Sequence, residues 1–374
     1  MFKAILIATT LLATIAQTDE AYTLSYGEPE DVGLSQGVLK GALSLYQESV
    51  ARGEVVGAVI LIARHGRVVA HQALGWSNKE KSRPMERSTL FHMASNTKPV
   101  VAAGIAKLVE QGNLSYSSLV RDYISEWDNY RAGHIQIEHL LTHTSGFRIR
   151  SLFLPFTGQE TSLREEVARF GSIGAEVSPG TSYSYSNPGY NSLGALIEIA
   201  SENSLEDYLD EFLYTPLGMD DSYNNHLGHA LEGKTNRVGP VYYQKDAGGE
   251  WKPEQPTILS FARASGGMVS STWDYAVFCQ MMLNRGIYNN QRLLKPETVD
   301  AMLSAKVKTP RGAYGYGWML DGPIAYHGGS DGTDAWIDRQ TGVIGLVFTQ
   351  TPNGRPSIKR FRQLINLAID PVGK

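Results

Sequence analysis

An α+β fold is predicted for this chain of 374 residues. Strand-like runs lie near both chain ends, and helical runs fill the middle. Near the start, residues 56–63 and 67–74 are apolar runs joined by Arg64-His65-Gly66, a short glycine-containing connection that predicts a hairpin. Near the end, residues 314–320, 324–327, 335–338 and 343–349 read as further strands, with Gln340-Thr341-Gly342 as a tight turn. Between them, over about residues 114–260, short helical stretches are separated by Gly, Pro, Asn and Ser. The expectation is one antiparallel sheet assembled from both chain ends, flanked by helices and carrying an inserted, mostly helical subdomain.

Element by element, Met1-Phe2-Lys3 precedes an uncharged apolar run over residues 4–16, and Thr14-Ile15-Ala16 offers small residues at the two cleavage-determining positions. This reads as a signal peptide over residues 1–16, too short to serve as a stable membrane anchor. The other reading, a buried N-terminal helix, is weakened by the polar Gln17-Thr18-Asp19-Glu20 that follows. Residues 35–51 read as a helix. Residues 100–111 are nearly all apolar and are stopped by Gly112-Asn113, so a helix there should cross the interior. Shorter helices are expected at 137–141, 163–170, 191–200 and 205–212, then an amphipathic one at 273–284 and a closing one at 358–369. Residues 238–256, rich in Tyr, Gly, Pro and charge, read as a long loop of the kind that often forms a functional rim.

Hydrophobic residues make up 42% of the chain and charged residues 19%, ample for a core. The net charge of −4 and the lack of a long basic run give no sign of a nucleic-acid partner or of a membrane surface. No segment after the first reaches the ~18 consecutive apolar residues of a spanning helix. Cys279 is the only cysteine, which excludes an intrachain disulfide and a cysteine-based metal site; a packed core thiol is expected.

The chemistry begins at Ser95-Asn96-Thr97-Lys98, where the interior helix starts. Residues three apart share a helix face, so Lys98 could reach the Ser95 oxygen and take the proton that makes serine a poor nucleophile. Pro99 suits a helix starting at about Ser95, because the first N–H groups of a helix have no intrahelical partner. The positive end of the helix dipole would favour an oxyanion there. Alone, the tetrapeptide fits equally well a capping serine followed by an exposed lysine. A second segment runs from Pro179 to Tyr190 and holds Tyr185 and Asn187, expected to point the same way from an extended loop. A phenol can relay a proton, and an amide can hold a substrate carbonyl or orient a lysine. A third, Tyr326-His327-Gly328-Gly329-Ser330-Asp331, lies beside a strand, where glycines let a substrate approach the backbone.

In this order, Ser95-x-x-Lys98, Tyr185-x-Asn187 and His327-x-Gly329 resemble the serine β-lactamases and penicillin-binding proteins with their esterase relatives, nearest the class C branch. His139-Leu140-Leu141-Thr142-His143-Thr144-Ser145-Gly146, Pro179-Gly180 and Ser265-Gly266-Gly267-Met268 add to the resemblance, which covers most of the chain. It implies a single β-lactamase/transpeptidase-like domain over residues 17–374. It further implies Ser95 as nucleophile, with Lys98 and Tyr185 sharing general base and acid work. The backbone N–H groups of Ser95 and Ser330 would form an oxyanion hole, Asn187, His327 and Gly329 would contact substrate, and neither cofactor nor metal is implied. Tyr185 stands where the related S-D-N set has its serine. A lysine can be the base only if burial or nearby positive charge lowers its pKa from ~10.4.

His-Gly-Gly departs from the pattern. It lacks the lysine of β-lactamases and the middle hydroxyl residue of many relatives, and His327 would be cationic only in part near neutral pH. The expectation is therefore a secreted or periplasmic serine hydrolase acting on a small-molecule ester or amide. The alternatives are a β-lactamase or D,D-carboxypeptidase acting on β-lactams or peptidoglycan peptides, and a non-catalytic penicillin-binding sensor. Gly328-Gly329-Ser330-Asp331-Gly332 also matches G-x-S-x-G, a nucleophile elbow that needs a following helix, whereas residues 333–338 read as strand. His139 and His143 lie four apart, as in a zinc helix, but Leu140 replaces the required glutamate, so packing or loop anchoring is expected of them.

Overall fold

The computed structural model describes residues 21–147, 162–244, 249–256, 258–352 and 355–369; residues 1–16, read above as a signal peptide, lie outside them. Strands Gly57–Arg64 and Arg67–Asn78 form the predicted hairpin, with Ala58 opposite Leu74. The free edge of Gly57–Arg64 pairs antiparallel with Val343–Thr349, placing Leu61 opposite Leu346. The sheet continues antiparallel through Thr333–Asp338, Ile324–Gly328, Met319–Asp321, Gly312–Tyr314 and Val307–Thr309. Both chain ends thus close one sheet, ten-stranded among the described residues. One edge departs from the antiparallel expectation, since Ser25–Tyr26 joins Arg67–Asn78 in parallel.

The sheet is the middle of three layers. Side chains alternate across a strand, and along Gly57–Arg64 both sets are buried: Val59, Leu61 and Ala63 on one face, Ala58, Ile60 and Ile62 on the other. That double burial is why the run is continuously apolar. Helices Gln36–Ala51 and Ile358–Leu367 cover one face, packing Leu39, Leu43, Tyr46, Phe361 and Ile365 against Ile60, Ile62 and Trp336. Helices Thr97–Glu110, Asn187–Ser201 and Thr272–Leu283 contribute to the cluster on the other face. Every residue from Val100 to Ala106 is buried, as an all-apolar helix requires. A Cβ on Gly104 would meet Leu209, Ile197 and Tyr208 at 3.1–3.4 Å, so this glycine lets the neighbouring helices approach.

Several boundaries differ from expectation. Residues 314–320 are two strands, Gly312–Tyr314 and Met319–Asp321, because Gly317 at φ 82° bends the chain onto Lys98, Pro99 and Ala102. Helix Asn187–Ser201 begins at Asn187 rather than residue 191: Ser186 caps it by accepting the Gly189 N–H at 3.1 Å, and Pro188 suits its first turn. Leu205–Leu209 passes into a π-helical turn, Asp210–Tyr214. The stretch expected as a long loop contains a two-stranded ribbon, Val241–Tyr243 with Lys252–Glu254, whose Tyr242 and neighbouring Trp251 pack on Val56. Thr272–Leu283 buries every residue from Tyr275 to Met282 rather than one stripe, and Cys279 within it is a packed, free thiol.

Candidate active site

Ser95 sits in a single 3-10 turn, Ala94–Asn96, that leads into helix Thr97–Glu110. The preceding Ala94 is left-handed at φ 45°, a conformation costing an L-residue roughly 1–2 kcal/mol. The surroundings hold it there. Asn96 Nδ2 donates to Thr333 O (3.1 Å) and Oγ1 (2.9 Å), and Thr333 Oγ1 donates to Met93 O (3.1 Å). Thr97 Oγ1 donates to Ala94 O (2.7 Å) and accepts the Met268 N–H (3.1 Å), while the Tyr275 hydroxyl donates to Asn96 O (2.9 Å). The serine turn is thereby tied to the sheet, to strand Met268–Ser270 and to helix Thr272–Leu283.

Lys98 is fully buried. Its Nζ lies 3.0 Å from Ser95 Oγ, 2.8 Å from Asn187 Oδ1 and 2.7 Å from Ser265 O. Burial, reinforced by the Arg263 charge, holds its pKa well below the ordinary lysine value. Asn187 reaches it from the first turn of its own helix, not from an extended loop, and its oxygen accepts the hydrogen bond from the lysine amine. Ser265 is positioned in turn by Asn191, whose Oδ1 accepts the Ser265 N–H at 3.0 Å.

Tyr185 lies in irregular chain one residue before the helix-capping Ser186. Lys98 Nζ is 4.8 Å from its ring centroid. Burial among protein atoms pushes the phenol pKa far above the ordinary tyrosine value, the nearby Ser95 side chain offsetting part of the rise; the phenol is therefore protonated at neutral pH. The 38% of Tyr185 that stays exposed fits its place on the wall of an open cleft.

That cleft, of about 400 Å³, is lined by Ser95, Tyr185, Tyr183, Met319, Tyr326 and His327 among others. His327 corrects an expectation. Its ring is buried, with Nδ1 3.1 Å from Gly328 O and Nε2 3.4 Å from the Tyr314 hydroxyl. Burial, then the Lys98 charge, lower its pKa to about 3, so it is neutral rather than partly cationic. Gly329 donates its N–H to Thr333 O at 2.6 Å, and a Cβ there would fall 2.3 Å from Thr333 Oγ1 and 2.5 Å from Met93 O. Its bareness serves the contact between this strand end and the serine turn. Ser330 is exposed in the following turn, where its Oγ donates to Asp331 Oδ1 at 2.9 Å. Strand Thr333–Asp338 comes next, so Ser330 stands on no strand-to-helix elbow. His139 caps the short helix Ile137–Leu141 that contains it, its Nδ1 accepting the Gln136 N–H at 3.1 Å.

Ser95, Lys98, Asn187, Tyr185 and His327 gather here and Gly329 packs against the serine turn, but the sequence reading missed several others. Ser265 contributes a backbone carbonyl, which no side-chain pattern signals, although Ser265-Gly266-Gly267-Met268 marked the place. Tyr183 and Tyr326 lie inside the second and third segments but carry no signal of their own, and Arg263, Asn191 and Met319 reach the site only through the folding of distant elements.

The Beta-lactamase family model matches residues 43–368. The chain belongs to the beta-lactamase family. It is 32% identical over 196 residues to esterase EstB of Burkholderia gladioli, a match covering 48% of this chain and 49% of that one, so it spans about half the length of that relative. Over 328 residues it is 26% identical to an N-acetylmuramyl-L-alanine amidase of Bacillus subtilis, covering 78% and 73% of the two chains. Among solved structures, the octameric penicillin-binding protein homologue from Pyrococcus abyssi matches with a TM-score of 0.76 at 26% identity, over 88% of this chain and 76% of that one. The fold is thus the α+β, β-lactamase/transpeptidase-like one.

Proposed function

We propose that this protein is an exported serine hydrolase that cleaves a carboxylic ester or small amide through an acyl-enzyme on Ser95. One observation carries the reading: a buried amine touches the serine oxygen and two oxygens that can only accept. A neutral amine has two N–H donors and one lone pair. Asn187 Oδ1 and Ser265 O take the donors, which leaves the lone pair for the Ser95 hydroxyl. Lys98 accepts that proton as Oγ attacks the carbonyl carbon. The oxyanion forms against the N–H groups of Ser95, near a helical start that leaves its first donors unused, and of Ser330. A donor of this kind is worth roughly 3–4 kcal/mol. Tyr185 gives its proton to the departing oxygen or nitrogen. The proton that Lys98 took from Ser95 then returns the phenolate to a phenol and leaves the amine neutral, and water attacks the acyl-enzyme with the same groups as base and acid to release the acid and free Ser95.

The cleft walls, Tyr183, Tyr326 and Met319, suit an apolar acyl group. Neutral His327 and the bare Gly328 offer the carboxylate of a β-lactam or D-alanyl peptide neither charge nor hydroxyl, which leaves Arg311 and Thr309 on the cleft wall as the groups that could meet one. A penicillin-binding sensor would also need the activated serine to be acylated, and it is turnover of the adduct that separates it from a hydrolase. Export rests on the signal-peptide reading of residues 1–16, and no described helix is long and apolar enough to cross a membrane.

The test is hydrolysis of short p-nitrophenyl esters beside nitrocefin. Ser95→Ala should lower ester turnover by on the order of 10⁴-fold or more, whereas Ser330→Ala, which keeps its N–H, should stay within a few fold of the parent. The reverse result would move the reaction to Ser330.

A further inference from the structure

We propose that His143 is the positioning residue for Tyr185, clamping the irregular strap that carries the phenol through two hydrogen bonds and one ring contact. The inference rests on the reading above, in which Tyr185 acts on Ser95. Tyr185 belongs to no helix or strand, so its aim depends on how its two neighbours are held. His143 holds both. Its backbone oxygen accepts the Ser184 N–H at 2.8 Å, and its ring Nδ1 accepts the Ser186 N–H at 3.0 Å. Between these anchors the imidazole lies against the Tyr185 ring, with centroids 4.3 Å apart. The next residue continues the clamp, since Thr144 O accepts the Gly180 N–H at 2.8 Å near the start of the strap.

Two features show that the imidazole is kept for this bond rather than as filling. First, the ring sits in a cage of tyrosines, with centroids 5.0 Å from Tyr190, 4.7 Å from Tyr314 and 5.9 Å from Tyr183, a space an apolar ring would fill at no polar cost. Because a backbone N–H can only donate, Nδ1 must be the bare nitrogen and Nε2 carries the proton. Among the described residues that buried Nε2 has no hydrogen-bond partner. The ring's hydrogen bond among the described residues is therefore the one it accepts at Nδ1 from Ser186. Second, His143 occupies the left-handed region at φ 58°, where glycine or asparagine would sit with less strain. Burial keeps the ring neutral, so its acceptor is available at neutral pH.

The experiment is a double-mutant cycle between His143→Phe and Tyr185→Phe, followed by ester hydrolysis and thermal melting. Phenylalanine keeps the caged ring and deletes the acceptor. Expected are a roughly 10–100-fold loss in kcat, as for a misplaced catalytic group, with KM within about twofold because the cleft walls remain. In the Tyr185→Phe background the same change should cost no more than about threefold, since the group it aims is already gone. His143→Asn, which keeps an acceptor but not the ring, should recover part of kcat. If His143→Phe does not fold, His143→Asn carries the same cycle with a smaller expected loss. Equal losses in both backgrounds, or a rise in KM with kcat intact, would overturn the proposal. A fully active Tyr185→Phe would instead remove the reading of Tyr185 on which it rests.

Discussion

A single ionisation state governs the site. Lys98 can accept a proton only when neutral, and burial supplies most of the depression of its pKa, with Arg263 adding to it. Arginine in its place could not deprotonate at all. Because Arg263 penalises protonated Lys98, removing that charge should raise the lysine pKa. Activity of this kind rises with pH as the amine loses its proton, so Arg263→Gln should shift the acid limb of the kcat/KM profile to higher pH, with the plateau reached later. An unmoved limb in a folded Arg263→Gln protein would show that desolvation alone tunes the lysine. The serine and lysine could be read from the sequence as a pair one helical turn apart. The Arg263 charge could not, because it lies 165 positions beyond Lys98 and the chain between them carries no record of where it returns.

At the scale of elements, the reacting serine stands on a seam between a strand end and a helix start. Gly329 is the tightest point of that seam, with Thr333 Oγ1 and Met93 O where its Cβ would go. Neither neighbour is free to move: Thr333 holds Asn96 and Met93, and Met93 N–H is bonded to Met268 O. Gly329→Ala should therefore displace the Ala94–Asn96 turn, costing on the order of 1–3 kcal/mol in stability and most of the esterase rate. Gly37, inside helix Gln36–Ala51 with nothing within 4 Å of its Cβ site, is the control, and Gly37→Ala should stabilise by up to about 1 kcal/mol. Chemical denaturation of both variants, with rates from the same preparations, checks this; similar stabilities would deny Gly329 its steric role. The sequence placed glycine beside the third motif but suggested substrate as the reason, since a strand sequence does not say which neighbour approaches it.

For the whole molecule, burial of neutral imidazoles makes stability depend on pH. His71 and His92 are both held down at about 4, chiefly by desolvation, and His327 at about 3. A group whose folded pKa is lowered binds more protons when unfolded, so its contribution is complete above pH ~6.5 and is lost as pH falls toward the folded value. Buried Asp274 and Asp334, raised to about 6 by desolvation, act in the opposite sense, being more protonated in the fold than in the open chain between about 4 and 6. The histidine part is therefore read by difference. Between pH 7 and pH 5, His92 alone should account for about 2 kcal/mol of lost stability. In His92→Gln the melting temperature should accordingly fall less over that interval than in the parent. Parallel curves would mean that His92 titrates normally in the folded protein.

By itself the sequence determined those features that depend on near neighbours. The hairpin at 57–78, the interior helix behind Ser95, the pairing of Ser95 with Lys98 and the strand at 343–349 all follow from short-range periodicity and caps, which a linear reading captures. The three ordered motifs pointed to a β-lactamase-like family, and the match over residues 43–368 bears that out. The tertiary structure alone decided which atoms meet. It gave Lys98 its carbonyl partner at Ser265, turned Asn187 toward the amine, silenced the charge of His327 by burial and seated His143 beneath Tyr185. Each of those outcomes depends on desolvation and on contacts between distant parts of the chain, and neither quantity is a property of neighbouring residues.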